Sequence, residues 1–267
     1  MRTISELTDL SDRKALITGG AGHIGGAIAE ALVELGATVA ILDQDLGALD
    51  KHVEALTQLR TGSALPVLCD LMDEAGTRQA IRNVIGEFGR LDIVIHCAAY
   101  VGTTSAPGWA VPFHRQSVDS WDAAMRINLT SAFVIAQEAK GALAASGKGS
   151  VIFISSIYGM VGPDMSLYES TPLANPVGYG VSKGGLLQLT RYLATVFAPC
   201  VRVNAISPGG VWREQPAKFH KRYVARTPLG RMATEEDVKG AAIFLASDLS
   251  AYVTGHNLVV DGGWTAW

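Results

Sequence analysis

The stretch "KALITGGAGHIGGAIAEALVELG", residues 14 to 36, decides the fold. "KALIT" is a short apolar run of the kind that forms a buried strand, and "AIAEALVEL" repeats its apolar residues at helical spacing. Between them lies a run of glycines that neither a strand nor a helix tolerates without a reason. Gly19, Gly20 and Gly22 let the backbone turn sharply and come close to a bound pyrophosphate. Gly25 and Gly26 let the new helix pack tightly, and Ile24 lies between the turn and that helix. The helix start offers unpaired N–H groups and partial positive charge to phosphate oxygens. His23 stands in this loop, where it reads as a packing or hydrogen-bonding group near the pyrophosphate rather than an acid or base.

Outward from this unit, the next strand, "TVAILD", ends at Asp43, 18 residues beyond Gly25. A carboxylate there accepts both ribose hydroxyls of an adenosine and repels a 2′-phosphate. No arginine or lysine stands beside it in "LDQDLG", so the pattern favours NAD over NADP. Asp45 is available to cap the following helix in its place.

The same grammar continues along the chain. "PVLCD", "DIVIHCAA", "SVIFISS", "VRVNAIS" and "NLVVD" add five strands, nearly continuous in apolar residues as parallel strands covered on both faces are. Helical patterns lie near 24–35, 46–60, 74–88, 119–145, 179–197 and 234–247, the last with a capping box from Thr234 and Asp237. The order predicts an α/β fold: one Rossmann-type, doubly wound sheet of about seven mainly parallel strands, with helices on both faces. No linker or repeat divides residues 1–267, which read as a single domain. Net charge of −3 gives no footprint for nucleic acid or an anionic membrane. No apolar run reaches transmembrane length, and "MRTISELTDLSDRK" lacks the core of a secretory signal. Cys69, Cys97 and Cys200 are widely spaced and each adjoins an apolar stretch, which suits reduced core thiols in the cytoplasm better than disulfides.

"GYGVSKGG", residues 178–185, raises a different question, because four glycines surround one tyrosine and one lysine where a helix begins. Tyr179 and Lys183 are four apart and share a helix face. A phenol titrates near 10, so bringing it about 3 units down takes roughly 4 kcal/mol of differential stabilisation. An ammonium one turn away supplies part of that, and an oxidised nicotinamide would add to it. The glycines are expected to leave room for a flat cofactor and substrate. Ser156, at the end of "FISS", is placed to hold a substrate oxygen near Tyr179.

At these residues the chain resembles the short-chain dehydrogenase/reductase family over nearly its whole length. The resemblance is carried by "TGGAGHIG", Asp43, "CDL", "CAA", "INLTSAF", "ISS", "YGVSK", "NAISPGGV" and "VVDGG". It implies that Tyr179 is the general acid/base, that Lys183 binds the nicotinamide ribose and lowers the tyrosine pKa, and that Ser156 orients the reacting oxygen. Asn128 would hold a water linking Lys183 to solvent. Asp70 and Leu71 would contact adenine, and Ala98 and Ala99 the adenosine ribose. Pro208, Gly209 and Val211 would hold the nicotinamide end. It also implies a homotetramer or homodimer, with "DGGWTAW" near an interface.

The chain departs from that family in three places. His23 stands where the shorter branch has glycine, and "HCAA" leans toward the longer branch, whose members include sugar-nucleotide epimerases and dehydratases. Ser156 and Tyr179 are 23 residues apart, where about 13 is common in the family, so 163–176 reads as an insertion at the site rim. Tyr168 lies 12 residues after Ser156, but Pro172 stands where its lysine partner would be, so it reads as a substrate contact, with Asp164 and Glu169 nearby. The 209–231 segment corresponds to a substrate lid, and its stretch 212–226 carries Arg213, Lys218, His220, Lys221, Arg222 and Arg226 with one acid, Glu214. Arg213 in particular reads as a substrate contact. Guanidinium groups suit carboxylates and phosphates. The expected function is NAD-dependent interconversion of a secondary alcohol and a ketone on a carbohydrate-like or anionic small molecule. A 3-oxoacyl or steroid-type reductase, a nucleotide-sugar epimerase or dehydratase, and a non-catalytic NAD(P)-binding sensor are the alternatives.

Overall fold

A computed structural model describes residues 1–102 and 104–267. Among these, seven strands form one sheet: β1 (Lys14–Thr18), β2 (Thr38–Asp43), β3 (Ala64–Leu68), β4 (Ile93–His96), β5 (Gly149–Ile154), β6 (Val201–Pro208) and β7 (Asn257–Val260). Their spatial order is β3-β2-β1-β4-β5-β6-β7, and every neighbouring pair is parallel. The chain reverses direction across the sheet between β1 and β4, which opens a crevice beyond the carboxyl ends of those strands.

The helices are α1 (Ile4–Thr8), α2 (His23–Glu34), α3 (Leu46–Leu59), α4 (Glu74–Phe88), α5 (Val118–Met125), α6 (Ser131–Ala145), α7 (Val177–Val196), α8 (Ala217–Ala225) and α9 (Glu236–Ala246). Strand residues alternate between two cores, as a period of two requires. Leu16, Val94, Val151 and Val203 face α4, α6 and α7, whereas Ile17, Ile41, Ile95 and Ile152 face α2, α3 and α9. Both faces are therefore dry, which is why the strands read as unbroken apolar runs.

Three boundaries differ from the sequence reading in ways that matter. β3 ends at Leu68, β4 at His96 and β5 at Ile154. Cys69–Asp70, Cys97–Ala99 and Ser155–Ser156 thus lie beyond the strands, in loops at the crevice. The expected helix over 119–145 contains a π-helical turn at Arg126–Thr130 between α5 and α6. The capping box at α9 is half formed. The Asp237 carboxylate accepts from the Thr234 N–H at 2.7 Å, while no side chain caps the helix in return. Cys200 is exposed rather than in the core. No helix among the described residues is long and apolar enough to cross a membrane.

Candidate active site

A cavity of about 1040 Å³ occupies the crevice. At one end the glycine turn forms its floor. Gly19 adopts φ +62°, and a Cβ there would sit 2.7 Å from the Ala98 backbone. A Cβ on Gly25 would come 2.1 Å from the Gly19 carbonyl. Gly22 caps α2 without a side chain, so the N–H groups of the first turn lack helical acceptors and lie at the cavity wall. Gly19, Gly22, His23, Ile24 and Gly25 all line it. The His23 ring is mostly exposed, with Nδ1 3.6 Å from Glu235, at the mouth.

Asp43 ends β2 at the same cavity and accepts from the Gln44 N–H at 2.8 Å. Asp45, not Asp43, caps α3, through the Ala48 N–H at 3.0 Å. Asp70, Leu71, Ala98 and Ala99 form the adjoining walls, and Pro208, Gly209 and Val211 the far end. A floor that only glycine fits, free N–H groups and a carboxylate at the second strand match the shape and charge of a dinucleotide.

Ser156, Tyr179 and Lys183 converge midway along the cavity. Ser156 starts a 3-10 turn, Ile157–Gly159, its Oγ accepting from the Tyr158 N–H at 3.2 Å. Ser156 also lies near enough to the Tyr179 phenol to favour its ionised form. Lys183 is 2 % exposed, with Nζ donating 2.7 Å to the Ile154 carbonyl and lying 5.7 Å from the centre of the Tyr179 ring. Here a sequence expectation needs correcting. Burial raises the Tyr179 pKa, and the nearby Ser156 hydroxyl opposes that rise. Burial likewise lowers the Lys183 pKa to about 8. The ammonium shares the phenol's dry environment and is directed to a carbonyl, so it does not by itself bring the phenol down.

The glycines around Tyr179 also serve a purpose other than the expected one. A Cβ on Gly178 would lie 3.2 Å from Trp109, one on Gly180 3.2 Å from the Tyr158 carbonyl, and one on Gly185 2.6 Å from Leu129. They admit neighbouring protein, so that α7 seats against the 100–118 loop, the turn after Ser156 and the π-turn. Trp109, 2 % exposed, anchors that loop by donating from Nε1 to the Val101 carbonyl at 2.7 Å.

Asn128 is fully buried in the π-turn and does not line the cavity. Its Oδ1 accepts from the Tyr100 N–H at 2.5 Å, and Nδ2 donates to the Tyr100 carbonyl at 3.2 Å and to Ser182 Oγ at 2.9 Å. It ties Tyr100, a wall residue, to α7. His96 lies behind, with Nδ1 2.8 Å from Thr18 Oγ. Thr18 Oγ also accepts from the Ala98 N–H at 3.3 Å. Burial holds His96 neutral, with its pKa lowered to about 3.

Tyr168 and Arg213 both reach the cavity. Three arginines of the basic 209–231 cluster, however, have internal partners. Arg213 pairs with Glu235 at 2.7 Å and Arg226 with Asp164 at 2.6 Å. Arg222 donates to the Glu169 carbonyl at 2.6 Å. Two of these arginines, Arg222 and Arg226, bind the 163–176 segment. Tyr100, Tyr158, Asn175, Phe219 and Tyr223 also line the cavity and were not singled out from sequence. Tyr158 carried the one available signal, two residues after Ser156 in "FISSIYG".

Comparison with known proteins places this geometry in a family. A family profile described as enoyl-(acyl carrier protein) reductase matches residues 19–265. Cis-4-hydroxycyclohexanecarboxylate dehydrogenase of Sinomonas cyclohexanicum is 35% identical over 261 residues, 96% of this chain and 98% of that protein. Among solved structures, a short-chain dehydrogenase from Leptospira borgpetersenii with bound NAD+ is 31% identical with a TM-score of 0.85, covering 99% of this chain and 96% of that one. A gluconate 5-dehydrogenase from Burkholderia cenocepacia in complex with NADP and tartrate is 28% identical, TM-score 0.85, covering 99% and 100%. The chain belongs to the short-chain dehydrogenase/reductase family. It is an oxidoreductase with a site for a nicotinamide cofactor, and its relatives include dehydrogenases named for cyclic or sugar-like substrates.

Proposed function

We propose that the protein is an NAD-dependent dehydrogenase of a secondary alcohol borne on a ring or polyol skeleton. The observation that carries this reading is the meeting of Ser156, Tyr179 and Lys183 in one cavity with the glycine floor and Asp43. Nicotinamide, when bound, supplies the two-electron acceptor. The protein's own contribution is proton handling and positioning. Ser156 holds the substrate oxygen beside the phenol, and Tyr179 takes its proton during oxidation or returns it during reduction. Lys183 is placed to hold the ribose next to that phenol. Asn128 sets the wall at Tyr100 and the start of α7; a water relay through it is part of the same proposal.

NAD is preferred on the strength of Asp43, whose carboxylate has no lysine or arginine beside it in sequence to receive a 2′-phosphate. The segments 163–176 and 209–231, within a single domain, serve as rim and lid over the substrate. Bonded arginines remove the support that a free basic lid gave to an anionic substrate. Exposed Phe133, Tyr192 and Trp267 support an assembly of two or four copies, and three unpaired thiols suit the cytoplasm.

The test is reduction of NAD+ or NADP+, followed by absorbance, over cyclohexanediols, polyols and aldonic acids. Turnover with NAD+ is expected to fall about 10²–10⁴-fold in Tyr179→Phe while cofactor still binds by calorimetry. An undiminished rate in that variant, or higher kcat/KM with NADP+, sinks the corresponding half of the reading.

A further inference from the structure

Two phenols meet in the cavity wall beyond Ser156. Tyr158 Oη lies 3.0 Å from Tyr168 Oη, and Asn175 Nδ2 donates to Tyr168 Oη at 3.1 Å. All three residues line the cavity that holds Ser156 and Tyr179. Each ring is fixed by its neighbours: Tyr158 stands edge-on to Trp264 at 6.2 Å between centroids, and Tyr168 packs on Phe219 at 5.4 Å. Tyr158 is also tied to Ser156 through its backbone N–H.

The proton count is decisive. Burial raises the pKa of both phenols, so both carry their hydrogens. One O–H bridges the pair, and the Asn175 amide fills a lone pair of Tyr168. The second O–H has no acceptor among the described residues. Both rings are partly buried and line the cavity, so an oxygen that arrives there with the ligand can accept this O–H and complete the wall.

We propose that Tyr158 and Tyr168, oriented by Asn175, form the subsite for a second oxygen on the substrate, so that the enzyme selects alcohols carrying a further oxygen acceptor on the same skeleton. This rests on the dehydrogenase reading above and extends it from the reacting carbon to the rest of the molecule. A substrate without that oxygen leaves the phenolic O–H unpaired, which is how a polar site rejects an analogue that lacks its partner.

The experiment compares kcat/KM for cyclohexanol with kcat/KM for the 1,2-, 1,3- and 1,4-cyclohexanediols, in the wild type and in Tyr158→Phe, Tyr168→Phe and Asn175→Ala. The wild type is expected to prefer at least one diol by about tenfold, the worth of one buried neutral hydrogen bond. In each Phe variant that ratio is expected to fall to within about twofold of one, and in the Asn175 variant to fall part of the way. A ratio taken within one variant is unmoved by general damage, so parallel loss on both alcohols overturns the proposal. So does a wild type without diol preference, a result that needs no variant to fold. A wild type that binds NAD+ yet oxidises none of these alcohols, nor the polyols and aldonic acids, defeats the dehydrogenase reading itself, and the subsite with it.

Discussion

Glycine has two unlike uses in this chain. At Gly25 a side chain would meet the Gly19 carbonyl at 2.1 Å, a backbone atom held by the turn. At Gly185 it would meet Leu129 Cδ2 at 2.6 Å, the far end of a side chain that can rotate aside. Both positions are helical, where alanine is favoured by about 1 kcal/mol. Gly185→Ala is therefore expected to melt within about 2 °C of the wild type with unchanged cofactor affinity. Gly25→Ala is expected to weaken NAD+ binding at least tenfold by calorimetry. Equal affinities in the two variants would show that the turn does not shape the cofactor site. The spacing of these glycines is readable in sequence, but which atoms they make room for is not. Gly178 and Gly185 were expected to clear space for ligands and instead admit Trp109 and Leu129.

At the scale of elements, the 163–176 segment and α8 form one unit. Leu167 and Tyr168 pack with Phe219 and Tyr223, and Arg222 and Arg226 bind the Glu169 carbonyl and the Asp164 carboxylate. Tyr223 Oη in turn accepts from the Gly210 N–H at 2.5 Å, linking α8 to the loop after β6. Arg226 is half exposed and Arg222 partly so, and each contact adds little to global stability. Their effect is local. A double variant, Arg222→Ala with Arg226→Ala, is expected to speed amide exchange across 163–176 and to raise substrate KM several-fold, with kcat changed less than KM. Unaltered exchange would mean that the aromatic packing alone holds the segment. In sequence these arginines resemble an anion site, because charge runs do not reveal their partners. Only the fold brings Asp164 to Arg226, 62 residues away.

The whole molecule is closed at the edge opposite the cavity by a cluster around Asp248. Its carboxylate receives Lys148 at 2.7 Å, Arg13 at 2.8 Å and Arg2, joining the chain start, the turn before β5 and the end of α9. Burial alone would raise the Asp248 pKa, but hydrogen bonds from Lys148, Arg2 and Arg13 hold it well below the usual carboxylate range. A depressed carboxylate contributes stability that is present above its unfolded pKa, near 3.9, and is lost as pH falls toward the folded value. Asp248→Asn leaves Arg13, 8 % exposed, without its partner and is expected to destabilise by about 3 kcal/mol at pH 7. The difference from wild type should shrink below about pH 4, as urea unfolding at several pH values would reveal; a constant difference would exclude the ionic account.

Local chemistry determined much of this protein directly. Apolar strand runs, the glycine turn before α2, Asp43 at the end of β2, and Tyr179 with Lys183 on one helix face are all short-range patterns, set by backbone geometry within a few residues. They fixed the seven-stranded doubly wound sheet and the glycine turn, carboxylate, tyrosine and lysine that meet at its crevice. Tertiary structure alone decided what depends on distant neighbours. It set the direction of the Tyr179 and Lys183 pKa shifts, because burial is a property of the packed site. It decided that Arg213, Arg222 and Arg226 of the basic segment have internal partners, and that Tyr158, Tyr168 and Asn175 meet. Hydrogen bonds and desolvation are measured across space, and sequence spacing records only the part of space that one helix or one strand spans.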